Sequence, residues 1–201
     1  MRTFKLLIFA GLMGAGLIPA SPVQAAPVSY RLDPNHTMVL FSWNHFGFSN
    51  PSADLGLGKG TIVFDQQHPA RSSVDVTLPL AKLDTFVPAL DQRLKEADFF
   101  DAAKYPLVTF KSTRVQPLGH DKFNVTGELT VHGVTHQVVL HAILNKIGLH
   151  PMTKAQSIGF DATASLKRSE FGVAAYVPHV SDEITIRITT EGSVPKAGNA
   201  R

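Results

Sequence analysis

The sequence predicts an all-β fold, an antiparallel barrel of about eight strands with one short helical insert. Apolar and polar residues alternate through most of the chain, which is typical of strands with one buried and one solvent-facing side. Turn-forming Gly, Pro and Asp residues separate these alternating runs. Because closure of the sheet removes exposed strand edges, we favour a barrel, with a β-sandwich as the alternative.

The N-terminal residues predict a secretory signal peptide over residues 1–25. Arg2 and Lys5 precede an apolar run over residues 6–18. A small-residue cleavage site, Val23-Gln24-Ala25, follows. The run is short for a membrane span, although an uncleaved anchor helix is the alternative, and no later stretch is apolar enough to cross a bilayer. We therefore expect export, with the bacterial periplasm as the location.

The composition favours one domain over residues 26–193 and a flexible, polar tail over residues 194–201. The formal net charge is +3, and two of the positive charges, Arg2 and Lys5, lie in the predicted leader. Lysine and arginine are scattered along the rest of the chain, so the charge does not indicate nucleic-acid binding. The chain has no Cys, so its stability must come from a core and not from disulfides.

The first predicted strand spans residues 30–46 and has an aromatic-rich inner side. Its inner face carries Val39, Phe41, Trp43 and His45. Residues 47–59 contain Pro51, Gly56 and Gly58 and are expected to form a loop. The remaining outer strands are predicted over residues 61–65, 73–80, 107–113, 157–166 and 182–192.

A long hairpin is predicted over residues 125–144, with a chain reversal at His132-Gly133-Val134-Thr135. Gly133 is suited to the positive φ that such a turn requires. A hairpin by itself is marginal in water, so other strands must cover its apolar face.

One segment departs from the strand pattern. Residues 91–98 are the best helical candidate, with Pro88 near the helix start and Pro106 beyond its end. The surrounding insert, residues 83–100, carries Phe86, Leu90, Leu94, Phe99 and Phe100. It can act as a plug that closes one end of the barrel or as a lid that moves.

Small residues on inward faces favour a cavity inside the barrel. Ala162 and Ala164 share a face with Phe160, and Gly127 shares one with Val125. The alternative is a filled interior in which small residues let large neighbours interdigitate. From alternation we expect the cavity wall to comprise Val39, Phe41, Trp43, Val76, Phe110, Leu129, Leu140, Phe160 and Ile186, with His45 contacting a ligand head group.

The chain resembles the YceI-like family of exported bacterial polyisoprenoid-binding proteins. The motifs that carry the resemblance are His36 with Val39-x-Phe41-x-x-x-His45-x-Gly47, Leu94-x-x-Ala97-Asp98-Phe99-Phe100-Asp101, Tyr105-Pro106-x-x-x-Phe110-x-Ser112-Thr113, Thr126-Gly127-x-Leu129-Thr130-x-x-Gly133-Val134-Thr135 and Arg168-x-x-Phe171-Gly172. They span almost the whole chain after the leader. Where family members usually carry Gly-x-Phe, this chain has Ala53-Asp54-Leu55.

The resemblance implies a lipocalin-like barrel that binds an isoprenoid chain, such as a polyisoprenoid or quinone, without established catalytic residues or a cofactor. Another amphiphile, such as a fatty acid or amide, and an enzyme acting on a lipid in the same cavity are the alternatives. The role expected from this is carriage or sequestration of the lipid.

No pattern in the sequence indicates a catalytic set or a metal site. His132 and His136 straddle a turn and do not share a helical face. Asp98 and Asp101 more simply cap and turn the chain. The outward strand positions are expected to be polar, which argues against a protein-binding face. These positions are Ser42, Asn44, Thr77, Lys111, Glu128 and Arg187. The sequence leaves open whether the protein forms a homodimer.

Overall fold

The computed structural model describes residues 26–196, so the predicted leader and the last five residues lie outside the described part. Within it, the strands form one closed antiparallel sheet, which confirms the predicted barrel. The strands are β1 (Val28–Leu32), β2 (Met38–Ser42), β3 (Ser52–Leu55), β4 (Lys59–Phe64), β5 (Ser73–Pro79), β6 (Leu83–Asp84), β7 (Leu107–Gly119), β8 (Lys122–Val131), β9 (Val134–Leu149), β10 (Gln156–Lys167) and β11 (Glu183–Ser193).

The eleven strands of the described chain occupy eight positions around the barrel. Three of these positions are each shared by two short strands that follow one another. These split positions are β1 with β2, β3 with β4, and β5 with β6, and the other five are single strands. Neighbouring positions follow the order of the chain. β11 closes the barrel by pairing with β1 at one end and with β2 at the other.

The first split corrects the prediction of one strand over residues 30–46. The carboxylate of Asp33 accepts the backbone N–H of Asn35 at 2.9 Å and contacts Nδ1 of His36 at 2.8 Å. This local hydrogen bonding forms a turn that competes with the sheet ladder. Asp33-Pro34 is a sequence typical of turns. The prediction of a continuous strand followed the alternation of the flanking residues and overlooked this pair.

The second split corrects the prediction of a loop over residues 47–59. β3 lies inside that range and pairs with β2 and with β6. Its inward residues Ala53 and Leu55 are buried. The sequence Ser-Ala-Asp-Leu has little intrinsic strand preference, so burial and the two neighbouring strands decide its conformation. These are also the residues at which the chain departs from the family motif.

The predicted central hairpin is present as β8 and β9, with a turn shorter than expected. Thr130 already pairs with Thr135, and Val131 with Val134. Only His132 and Gly133 are left in the turn, with φ of 52° and 73°. Two consecutive positive φ values are typical of the hairpin turn whose twist matches that of the strands.

The α-helix of the described chain, α1 (Pro88–Leu94), is shorter and begins earlier than the predicted range of 91–98. Pro88 occupies the first turn, where its missing N–H costs no hydrogen bond. The helix ends at Leu94, and the chain then reverses so that the N–H of Phe100 donates to the carbonyl of Leu94 at 3.0 Å. None of the described helices is both long and apolar enough to cross a membrane.

We call the end of the barrel that carries α1 the mouth. The connections over residues 43–51, 85–106 and 168–182 all leave the sheet at this end. The opposite end, which we call the base, carries the turn at residues 120–121 and the connection over residues 150–155. The apolar core fills the barrel between the two ends, apart from the two cavities described next.

Candidate functional site

An outer cavity of about 560 Å³ lies at the mouth, between the barrel and the insert that carries α1. Its wall is rich in aromatic rings. Phe41 packs against Trp43 with ring centroids 5.8 Å apart, and Phe100 meets Phe41 edge-on at 6.2 Å. Leu90 and Phe99 of the insert line the same space. The insert therefore forms one wall of the cavity as well as covering the core.

An inner cavity of about 150 Å³ lies deeper in the barrel. Three mutually perpendicular rings, Phe64, Phe123 and Phe160, line its base-side end, with centroid separations of 5.9 to 6.2 Å. Its polar lining is limited to hydroxyl groups, and two of these, from Thr37 and Thr190, bond to each other at 2.7 Å. The inner cavity therefore offers a ligand a hydrocarbon environment.

The two cavities lie next to each other inside the barrel. Four residues line both of them, Val39, Leu78, Leu129 and Ile186. Because these side chains come from β2, β5, β8 and β11, the junction is formed by strands from around the barrel and not by one loop. A chain-like ligand that occupied both cavities would pass between these residues.

The structure brings all ten residues of the predicted binding set to the cavity walls. That they bind a ligand stays a prediction. The inner cavity is lined by Val76, Phe110, Leu140 and Phe160, the outer by Phe41, Trp43 and His45, and both by Val39, Leu129 and Ile186.

His45 lies at the rim of the outer cavity and is exposed, whereas alternation had suggested an inward position. β2 ends at Ser42, and the backbone of His45 forms isolated bridges with Ser49 and Val180. Its ring packs edge-on against Phe46 at 4.7 Å. The side chain is therefore placed where a ligand would meet solvent.

The sequence missed the part of the outer cavity that comes from loops. These residues include Phe46, Arg93, Val173, Tyr176 and Val180. They do not alternate with a strand period, so only the spatial arrangement of the loops reveals them. The motif that contains Arg168 and Phe171 was the one available signal, and both residues line the outer cavity.

Arg168 is a buried guanidinium that organises the loop over residues 172–182. It donates to the backbone carbonyls of Ser181, Val173, Ala175 and Val180 at 2.8 to 2.9 Å. Burial lowers the pKa of Arg168 from its usual value. Since these four hydrogen bonds go to carbonyls of the loop, the role of the side chain is to fix one wall of the cavity.

Arg93 is the second cationic residue of the outer cavity. Its guanidinium forms a bidentate ion pair with Asp98 and lies 4.6 Å from the centroid of the Phe99 ring. The hydrogen bonds that Arg93 donates to the carboxylate of Asp98 raise the pKa of Arg93 above its usual value. The charge at this rim is therefore already compensated.

The cavities bring together no acid–base pair among the described residues. His45 has no carboxylate partner, and no cluster of three potential metal ligands occurs within residues 26–196. Burial raises the pKa of Asp54, but this carboxylate accepts the N–H of Val39 at 3.0 Å and does not line either cavity. The geometry suits binding by burial of apolar surface.

Comparison with known proteins gives consistent matches in sequence and in structure. The sequence profile of the YceI-like domain matches residues 30–192. Protein YceI of Escherichia coli O157:H7 is 35% identical over 188 residues, which cover 92% of this chain and 94% of that protein.

Two solved structures share the fold. Burkholderia cenocepacia BcnA superposes with a TM-score of 0.72 at 25% identity, over 80% of this chain and 98% of that one. A polyisoprenoid binding domain from Saccharophagus degradans superposes with a TM-score of 0.62, over 83% of this chain and 98% of that one. The latter is 11% identical, so it supports the fold alone.

Proposed function

This chain belongs to the YceI-like domain family, and we propose that it binds a long-chain isoprenoid lipid, such as a polyisoprenoid or a quinone, inside the barrel. The observation that carries the proposal is the pair of adjacent apolar cavities inside the barrel, which share four lining side chains. Removing apolar surface from water contributes about 25 cal/mol per Å², so a long hydrocarbon tail in both cavities would supply most of the affinity.

The polar end of the ligand would lie in the outer cavity. The inner cavity offers few polar groups, and the hydroxyls of Thr37 and Thr190 already satisfy each other. His45 is at the solvent-facing rim, where its ring nitrogens could hydrogen-bond a head group. An isoprenoid quinone or an isoprenoid alcohol would fit this division of the site.

The proposed role is non-catalytic carriage or sequestration of the lipid in the periplasm after removal of the leader. Support comes from the predicted signal peptide and from cavities that pair no titratable groups for acid–base chemistry within the described residues. A fatty acid or amide in the same cavities is the alternative ligand, since a hydrocarbon wall selects for chain shape more than for chemical identity.

The first experiment is native mass spectrometry of the protein purified from the bacterium that produces it, followed by organic extraction of the bound molecule. We expect a stoichiometric adduct that extracts as an isoprenoid. A fatty acid in the extract would show that the ligand is not an isoprenoid. If no adduct forms and added isoprenoids leave the melting temperature unchanged, the proposed function is wrong.

A matched pair of variants tests whether the cavities hold the ligand. Leu129→Phe places a larger side chain at the junction of the cavities, whereas Glu128→Phe adds the same ring to the exposed neighbouring position. We expect Leu129→Phe to lose at least about nine-tenths of the adduct. The larger side chain would exclude part of the ligand tail from the cavities, and that part would no longer gain free energy by leaving water. Glu128→Phe should retain the adduct. Equal retention in both would place the ligand outside the barrel.

A further inference from the structure

The rim of the mouth is unusually rich in exposed aromatic side chains. Among the described residues, the exposed aromatic side chains are Phe46, Phe48, Phe86 and Tyr176, and all four belong to the mouth connections. Phe48 is 92% exposed and Phe86 is 72% exposed. Some strand positions that were expected to be polar are exposed and apolar, such as Val139 and Ile143 of β9, but these side chains are aliphatic. The exposed aromatic surface of the described chain is therefore confined to the loops at the mouth.

Three of these four aromatic residues have a left-handed backbone. Phe46, Phe86 and Tyr176 have φ of 54°, 62° and 64°. The other non-glycine residues with positive φ in the described chain are polar or charged, as is usual in turns. Bulky residues rarely adopt this conformation, and such outliers concentrate at functional sites. Three separate loops thus hold an aromatic ring outward at the same end of the barrel.

The rim is continuous with the outer cavity. Phe46 and Tyr176 line the cavity as well as being exposed, and Tyr176 packs against Phe99 with ring centroids 6.2 Å apart. β3 and β6 pair so that Phe86 leaves the sheet beside the connection that carries Phe48. Part of the exposed aromatic rim is therefore also the wall of the outer cavity.

From these observations we propose that the mouth docks on the surface of a lipid bilayer, with the four exposed rings inserted at the level of the head groups. Tyr is enriched at membrane–water interfaces, and Phe is typical of the apolar face of segments that lie in the interface. Arg93 is paired with Asp98, and Arg168 is buried against carbonyls, so neither offers a free charge to anionic lipid. The proposal therefore assigns the docking to the four rings and not to these two arginines.

The proposal rests on the proposed function in one respect: docking would let a lipid tail move between the bilayer and the cavity. Phe48 and Phe86 are the positions to test, because they are highly exposed and do not line either cavity. The matched control positions are Leu149 and Met152, which are exposed apolar residues at the base.

The experiment is flotation of the purified protein with vesicles of neutral phosphatidylcholine. Three proteins are compared: the wild type, Phe48→Ser with Phe86→Ser, and Leu149→Ser with Met152→Ser. We expect the mouth variant to partition at least roughly tenfold more weakly, because two rings lose their transfer from water. The base variant should float as the wild type does. Equal flotation of all three proteins, or no flotation of the wild type, would overturn the proposal.

A second readout reports which end meets the bilayer. Trp43 is the single tryptophan of the chain and lines the outer cavity. Vesicles with brominated acyl chains should quench its fluorescence in the wild type and base variant, and far less in the mouth variant. If Phe48 and Phe86 instead govern self-association in sedimentation, the rim is an interface between copies and the proposal fails.

Loading from solution separates this inference from the proposed function. Detergent-dispersed isoprenoid should enter all three proteins equally, as followed by native mass spectrometry. If none of the proteins takes up isoprenoid but flotation still requires the rings, the proposed function fails and docking stands. If loading is equal and flotation does not depend on the rings, docking fails and the proposed function stands.

Discussion

At the scale of single residues, Arg168 shows how one buried charge shapes the binding end of the barrel. Its guanidinium donates hydrogen bonds to four backbone carbonyls of a loop that lies outside the sheet. Buried carbonyls without a partner are costly, so the loop depends on this side chain. Because Arg presents several donors in a fixed planar fork, Lys cannot replace it.

We predict that Arg168→Ala lowers the free energy of unfolding by about 3 kcal/mol, because one buried and three partly buried carbonyls lose a charged donor. Arg168→Lys should recover little of this loss. Urea unfolding measures both variants against Arg187→Ala, which removes an exposed arginine of β11 and should cost less than about 0.5 kcal/mol. Similar costs for Arg168→Ala and Arg187→Ala would contradict the role of Arg168.

At the scale of elements, the β8–β9 hairpin shows how a turn is fixed by both backbone and packing. Gly133 has φ of 73°, and a Cβ at this position would lie 2.4 Å from an atom of the Tyr105 ring. The Tyr105 ring in turn packs edge-on against His132 at 5.0 Å. The glycine is therefore needed for the conformation of the turn and for the close approach of Tyr105.

We predict that Gly133→Ala destabilises the protein by at least about 1 kcal/mol more than Gly119→Ala. Both glycines have similar positive φ, so each substitution carries a backbone cost of about 1–2 kcal/mol. A Cβ at Gly119 meets no atom within 4 Å, so the difference isolates the clash with Tyr105. Equal destabilisation in chemical denaturation would show that the Tyr105 ring moves aside freely.

At the scale of the whole molecule, the barrel brings together rings that are far apart in sequence to limit the inner cavity. Phe64, Phe123 and Phe160 come from β4, β8 and β10 and meet edge-to-face. A tail that enters from the mouth would meet these rings last. On the proposed function, they would limit the length of tail that the barrel accepts.

We predict that Phe160→Ala shifts binding toward longer tails. The protein would be loaded with an equimolar mixture of isoprenoids of different lengths and examined by native mass spectrometry. Ile158→Ala is the matched control, because Ile158 is buried on the same strand but does not line the cavities. Loss of either side chain creates a void, but only the void left by Phe160 is continuous with the inner cavity. An unchanged length distribution in Phe160→Ala would show that the rings set no limit.

The sequence by itself determined the barrel, the inward face of each long strand and the ten residues now found on the cavity walls. Alternation with a period of two fixes which side of a strand is buried, so inward residues such as Phe110 and Ile186 could be named before any contact was known. The central hairpin followed from the same pattern together with His132 and Gly133, which can adopt the turn that it requires.

Only the tertiary structure decided the three split strand positions, the existence of β3, the division of the interior into two cavities and the loop residues of the mouth. Ser52–Leu55 becomes a strand because β2 and β6 flank it, and no local preference predicts this. Phe46, Arg93 and Tyr176 meet at one rim through connections without periodicity. Contacts between distant loops depend on where the closed barrel places their ends, and a one-dimensional pattern does not contain that information.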